Sequence, residues 1–330
     1  MPGNLDLRRL RYFVRVAELG SLTRAAEALH IAQPALSQHI RGLEEEVGVK
    51  LLARGSRGVA LTEAGGRMLD EARAMLAGAK LLVERVRGDS SEPEGAVVIG
   101  VGQTVGSLLV LPLLEAAAGQ MPRVRIQIRE MLSGLLPELV RSGAVDFAIS
   151  YNTTSGNGVE AISVLSEDMC LVGQRRLARK HLGKKLKDEV AFKDLAGLPM
   201  YLSRRTHILR ELVERVARER KVAPHLLAEV DSLYIMKELA LGGTGFCVLS
   251  RANVRRELEH HDLYVARIVQ PVIRRDICFL RRSGTSLPRA AHETVLLAVE
   301  VLAGMVKDDV WRGTLQPDLS ERLADIRKSF

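Results

Sequence analysis

Little in this sequence invites a membrane, a secretory route, a metal or a covalent reaction. No apolar run approaches the roughly 20 residues needed to span a bilayer. The opening Met-Pro-Gly-Asn-Leu-Asp is no secretory signal, so a cytoplasmic protein with no membrane partner is expected. Only three cysteines occur among 330 residues, Cys170, Cys247 and Cys278. They lie far apart inside apolar, strand-like runs, which predicts buried free thiols rather than disulfides, redox pairs or metal ligands. The eight histidines, among them His30, His39, His207 and the pair His260-His261, show no HExxH or Cys–His metal spacing. No serine sits in a nucleophile elbow, and no Walker loop or dinucleotide fingerprint is present; Gly242-Gly243-Thr244-Gly245 lacks the spacing. No catalytic residue, metal site or cofactor is expected, and the chain reads as a non-enzyme.

What is present begins with enough material for several domains. At 330 residues and 47% apolar content, two or three domains with full cores are expected. The net charge of +8 suits an anionic partner but is weak evidence for DNA by itself. The informative stretch is Ser21 to Arg41, which reads as helix, turn, helix. Ser21 suits an N-cap, and Leu22, Ala25, Ala26 and Leu29 follow the spacing of an inward helical face. Pro34 stands near the start of the second helix, where its fixed φ does no harm. Leu36, Ile40 and Leu43 then point inward, while Gln33, Ser37, Gln38 and Arg41 point outward as a hydrogen-bonding surface that can enter a DNA groove. A plain helical hairpin with a polar solvent face is the alternative.

The residues that follow favour DNA. Gly48 suits the left-handed stop of the second helix. Arg54-Gly55-Ser56-Arg57-Gly58, between apolar Leu51, Leu52, Val59 and Leu61, reads as a short hairpin with a basic tip. Such a wing touches phosphate or the minor groove. Residues 1–61 carry nine Arg and Lys against six Asp and Glu, and Glu44 to Glu46 cluster at the far end of the reading helix. A winged helix-turn-helix is expected.

Five segments carry a family resemblance: Arg11-Tyr12-Phe13, Ser21 to Ala28, Gln33 to Ser37, Leu43 to Gly48, and Leu61-Thr62-Glu63-Ala64-Gly65. On these the chain resembles the LysR-type transcriptional regulators over nearly its whole length. The resemblance implies that Gln33, Pro34, Ser37 and Gln38 face the major groove and that Arg54 reaches the minor groove. Two positions depart from the family pattern. Ala32 stands where Ser or Thr often caps the reading helix. Gln38 stands where Arg is frequent, and Gln favours the N6/N7 edge of adenine.

Residues 62–87 read as a linker helix capped by Thr62. Met68, Ala72, Met75, Ala79, Leu82 and Val86 recur at four-three-four-three-four spacing, with Leu69, Leu76 and Val83 beside them. Packing of the stripe on its own domain is the alternative, but the resemblance favours pairing of two subunits, so that two reading helices meet an interrupted inverted repeat. Residues 88–95, polar and rich in glycine and proline, read as a hinge.

From residue 96 to 306 strands and helices alternate, the pattern of an α/β sheet. The expected fold is mixed α+β and multidomain: a winged helix-turn-helix, a long linker helix and a two-lobed α/β effector domain resembling periplasmic binding proteins. The resemblance places lobe crossovers near Ser163 to Asp168 and near Gln270. Ligand clefts of such sheets lie at C-terminal strand ends. Thr104 and Ser107 follow the first strand, Ser133 the second, Tyr151 the Phe147 strand, Ser203 and Arg205 the Pro199 strand, and Thr244 precedes the Phe246 strand. By resemblance, the segments at Thr104, Ser133, Ser203 and Thr244 surround an inducer; with Arg204 or Arg205 the set suggests a small organic anion.

The reading is a promoter-binding regulator, a homodimer further assembled into a homotetramer, modulated by a small effector and contacting RNA polymerase. Two alternatives stand beside it: a constitutive regulator whose body serves only oligomerisation, and a solute-binding clamshell. Residues 307–330 extend past the family's usual end, with the only tryptophan at Trp311 and a short stripe at Leu319, Leu323 and Ile326. Docking and disorder are both open for them.

Overall fold

The structure is a computed structural model. It describes residues 5–55, 58–87, 92–205 and 207–319, with the side chains at 54, 80, 81, 84, 85 and 87 left out. It forms two compact units, a head built around the first 91 residues and a body that begins at Glu92.

In the head, helices α1 (Leu7–Leu19), α2 (Leu22–Leu29) and α3 (Gln33–Val47) precede strands β1 (Leu52–Gly55) and β2 (Gly58–Leu61) and helix α4 (Glu63–Arg87). Local chemistry sets the boundaries. Asp6 accepts from the Arg8 amide at 2.8 Å and Ser21 Oγ from the Arg24 amide at 3.3 Å. Gly20 and Gly48 end α1 and α3 in left-handed conformations, φ 58° and 74°. The core joins Leu10, Phe13 and Val16 to Ala25, Leu36, Ile40 and Leu43, where truncating one large side chain costs about 2–5 kcal/mol. Glu44 belongs to this architecture. It is 7% exposed, and its Oε1 accepts from the Leu51 and Leu52 amides at 3.0 and 3.2 Å, while Lys50 Nζ donates to Oε2 at 2.6 Å. Burial pushes its carboxyl up, but the Lys50 ammonium and the two amides outweigh this and hold it below the usual range. Glu44 thus pins the wing to the reading helix.

The body opens with β3 (Gly95–Val101), α5 (Gln103–Gln120), β4 (Val124–Glu130), α6 (Leu136–Arg141) and β5 (Phe147–Tyr151). There follow β6 (Val159–Gln174), α7 (Arg175–Leu182), β7 (Glu189–Ala191), β8 (Pro199–Leu202), α8 (Ile208–Arg220) and β9 (His225–Glu229). The chain continues through α9 (Leu233–Leu241), β10 (Phe246–Ser250), α10 (Arg255–His260), β11 (Leu263–Val269), β12 (Arg274–Arg282), α11 (Arg289–Lys307) and β13 (Thr314–Leu315). The first lobe's strands run β4-β3-β5-β12-β6-β13 and the second lobe's β9-β8-β10-β6-β11-β7. β3, β4 and β5 are parallel in one, and β8, β9 and β10 in the other. β6 serves both: it pairs with β12 as far as Asp168 and with β10 from Met169. The return crossover lies between β11 and β12, around Gln270.

Several expectations need adjusting. Met169 to Val172, the apolar run that by itself reads as a strand in the sequence, lies near the end of a 16-residue strand; polar Glu160, Ser163, Ser166, Glu167 and Asp168 hid the rest by breaking the apolar alternation. Residues 88–91 of the expected hinge lie outside the described residues, as does the C-terminal stretch with Leu323 and Ile326. Before it, the extension docks. Trp311 is 0% exposed, β13 pairs with Leu165 and Ser166 of β6, and Gln316 Nε2 donates to Ser163 Oγ and Ser166 Oγ, both at 3.1 Å. Among the described residues no helix is long and apolar enough to cross a membrane.

Candidate functional site

The reading helix α3 presents Gln33, Pro34, Ala35, Gln38 and Arg41 to solvent, with Leu36, Ile40 and Leu43 buried beneath. Ser37, expected on the outward face, is 4% exposed. Its short side chain sits at the edge of the apolar stripe and is packed there, so the exposed surface is made without it. Ala35, which sequence reasoning passed over, is exposed in its stead. Ala32 makes no side-chain cap, as its chemistry requires. His39 meets the Tyr12 ring edge-on at 5.1 Å between centroids. The wing's Arg57 lies outside the described residues, and so does the side chain of Arg54.

The stripe on α4 divides in two. Ala72, expected in a subunit seam, is 1% exposed and lies in the head's own core, with Met68, Leu69 and Leu76 packed against that core. Helical spacing could not separate these from a seam, because both faces need the same residues. Beyond them the stripe is open: Met75 is exposed, as are Leu82, Val83 and Val86, the last at 80%. Ala79 is half-buried.

In the body a cavity of about 30 Å³ opens at the C-terminal ends of β3, β5 and β8. Of the expected ligand residues it gathers Thr104, Tyr151 and Ser203. The others lie elsewhere. Ser107 is exposed and donates to its own Thr104 carbonyl at 2.9 Å. Ser133 is buried, 1% exposed, and is absent from the lining. Thr244 is exposed and bonded to the Tyr201 hydroxyl at 2.8 Å. Arg205 lines a separate groove on α8 and pairs with Glu214 at 3.3 Å; Arg204 pairs with Asp231. The two arginines that suggested an anion are therefore both answered by carboxylates, Arg205 by Glu214 outside the cavity and Arg204 by Asp231 on its wall. Two amides at the start of α5 are answered as well: the Val105 amide donates to Tyr151 Oη at 3.0 Å and the Gly106 amide to the Gly102 carbonyl at 2.8 Å.

The polar centre comes from residues that no motif or spacing had singled out. Arg275, on crossover strand β12, is 3% exposed and donates through Nε to Glu167 on crossover strand β6 at 2.6 Å. Its Nη2 donates to Thr104 Oγ1 at 2.9 Å, and its guanidinium lies 4.2 Å from the centre of the Tyr151 ring. Trp311 Nε1 donates to the second Glu167 oxygen at 2.8 Å. Burial works against the Arg275 charge, but the Glu167 carboxylate more than compensates and raises its pKa. Burial pushes the Tyr151 phenol up, so it stays protonated beside the cation. His207 caps α8, its Nδ1 accepting from the Leu209 amide at 3.3 Å. Burial, helped by the Arg275 charge, brings its pKa down to about 4, so the imidazole is neutral. Two bonds span the lobes: the Leu233 amide donates to Gln103 Oε1 at 3.2 Å, and Thr104 Oγ1 donates to Asn253 Oδ1 at 3.3 Å. A sequence signal existed only in the placement of Arg275 and Glu167 on strands flanking the crossovers.

Known proteins match this geometry along both units. Residues 7–66 match the bacterial regulatory helix-turn-helix protein family of LysR type, and residues 90–303 match the LysR substrate binding domain. The chain is 30% identical over 298 residues to the nitrogen assimilation regulatory protein nac of Klebsiella aerogenes, covering 89% of this chain and 95% of that one. It is 28% identical over 295 residues to the DNA-binding transcriptional dual regulator OxyR of Escherichia coli, again 89% and 95%. A full-length OxyR variant from Pseudomonas aeruginosa has the same fold, with a TM-score of 0.75 at 21% identity over 91% of this chain and 95% of that one. CbnR complexed with its target DNA aligns at a TM-score of 0.52 and 24% identity, over 90% and 99%. An exposed polar helix on a winged head, a two-lobed body with an enclosed polar cavity, and family matches along both units lead to one conclusion: this chain belongs to the LysR family, DNA-binding transcriptional regulators that carry an effector-binding domain.

Proposed function

We propose that the chain reads promoter DNA through Gln33, Pro34, Gln38 and Arg41 of α3, with Arg54 and Arg57 of the wing on phosphate and minor groove. The observation that carries this reading is the exposed polar face of α3 over a fully apolar underside. Gln38 offers a bidentate amide to adenine. Two copies pair through the distal half of α4, where Met75, Leu82, Val83 and Val86 stand uncovered, and further assembly into a tetramer beside RNA polymerase completes the regulator. The cavity under Thr104, Tyr151, Ser203 and Arg275 is the effector site; closing or opening the lobes about β6 and the β11–β12 crossover changes head spacing and with it DNA bending.

Some relatives are named as activators of hydrogen peroxide-inducible genes, but the thiols of this chain do not favour oxidation. Cys170, Cys247 and Cys278 are all buried free thiols, and burial pushes the first two up to about 11 and about 12. The reactive form is the thiolate, so a small-molecule ligand is the better reading than thiol oxidation.

The test is binding of the full-length protein to fragmented host DNA at about 150 mM salt. Enrichment of one interrupted inverted repeat is expected. Gln38→Ala reduces discrimination at one base position by about 1–3 kcal/mol, while Ser37→Ala acts on head stability instead. Uniform, salt-labile binding by both wild type and Gln38→Ala sinks the assignment of the reading face.

A further inference from the structure

The cavity's hydrogen bonds have a direction. A guanidinium can only donate, so Thr104 Oγ1 accepts from Arg275 Nη2 and passes its single proton to Asn253 Oδ1. Ser250 Oγ donates to the same oxygen at 2.9 Å. In this arrangement the Asn253 oxygen is occupied twice, and its Nδ2 is left as a donor. Asn253 is 6% exposed and lines the cavity, and Nδ2 is buried with no partner among the described residues. A buried unpaired amide donor is costly, and a ligand oxygen would satisfy it.

The cavity's charges are already balanced. Arg275 is matched by Glu167, itself 1% exposed, and Glu167 is held in place by the Trp311 indole. Asp231 is turned to Arg204. An anion entering here would lose its hydration and find no unanswered cation in return, with a buried carboxylate directly behind the guanidinium. An uncharged acceptor loses less and still pairs with Asn253.

We infer that the cleft is preset for a small uncharged ligand that presents an acceptor oxygen to Asn253 Nδ2, and that Glu167, positioned by Trp311, is the residue that excludes anions. The inference rests on the reading of this cavity as the effector site and names the class of molecule it takes. About 30 Å³ holds roughly two waters, which matches the polar end of a ligand, an amide or carbonyl group, with the remainder requiring the lobes to part.

Formamide and formate test this, because they share shape and differ in charge. The single tryptophan, Trp311, is labelled as 5-fluorotryptophan in the full-length protein, so one fluorine resonance reports on its bond to Glu167. A ligand of three heavy atoms binds no tighter than about 1 mM, and titrations run to about 100 mM at constant ionic strength. Formamide is expected to shift the line saturably and formate at least about tenfold more weakly. Asn253→Ala abolishes the formamide shift. Glu167→Gln, which leaves Arg275 unanswered, reverses the preference towards formate. Equal binding of the two probes to wild type, both lost in Asn253→Ala, overturns the exclusion of anions while keeping the cavity as a ligand site. No shift by either probe in any variant removes the effector reading of the cavity itself. If Glu167→Gln loses its cooperative melt, the wild-type preference and its loss in Asn253→Ala decide the matter alone.

Discussion

His207 carries the clearest pH consequence at the level of single residues. Its folded pKa is about 4, lowered by burial and by the Arg275 charge, against an ordinary 6.5. Above pH 6.5 both folded and unfolded states hold it neutral, and stability is complete. As pH falls below 6.5 the unfolded chain takes up a proton that the folded chain refuses, so stability drops until about pH 4, by about 3 kcal/mol in total. His207→Asn keeps an acceptor for the Leu209 amide without a titrating group. Urea unfolding of the body should show wild type losing about 2 kcal/mol more than this variant between pH 7 and pH 5; parallel losses would contradict the assignment. Residue chemistry of this kind was partly legible. Ser21 as a cap, Gly48 as a stop and three buried thiols were readable because each depends on near neighbours or composition. The burial of Ser37 and the pairing of Arg275 with Glu167 were not, since a partner 108 residues away leaves no local pattern.

Helix α4 shows what one element conceals. Its apolar repeat is continuous in sequence, yet Ala72 faces the head's core while Leu82 and Val86 face outward at 64% and 80% exposure. Leu82→Asp combined with Val86→Asp should convert a dimer to monomers by sedimentation, with the head's helical content retained. Persistence of the dimer would move the subunit contact elsewhere. Ala72→Asp, by contrast, should unfold the head, because a charge would be buried without a partner. β6 teaches the same lesson from the opposite side. Only its apolar end had a strand's signature, while its polar half is ordered by pairing with β12 and β13.

For the whole molecule, the docked C-terminal segment ties the body together. Trp311 fills a fully buried site and satisfies Glu167, and β13 adds an edge to the first lobe. Truncation after Lys307 should therefore destabilise the body by about 3–5 kcal/mol, the range for deleting a buried aromatic side chain. Urea unfolding followed by circular dichroism checks this; an unchanged midpoint would make the segment a passive appendage.

By itself the sequence determined the winged head, the linker helix, the alternating α/β body and the family, because periodicity, caps and clustered motifs act over a few residues. It also brought Thr104, Tyr151 and Ser203 to notice, since residues after parallel strands converge wherever that topology forms. Only the tertiary structure decided that Ser107, Ser133, Arg205 and Thr244 stand away from the cavity, that its cation is Arg275, and that Glu167 and Trp311 neutralise and hold it. Those outcomes depend on which crossover strands meet and on what a distant tail covers, and pairings across more than a hundred residues follow from closure of the fold, not from any spacing along the chain.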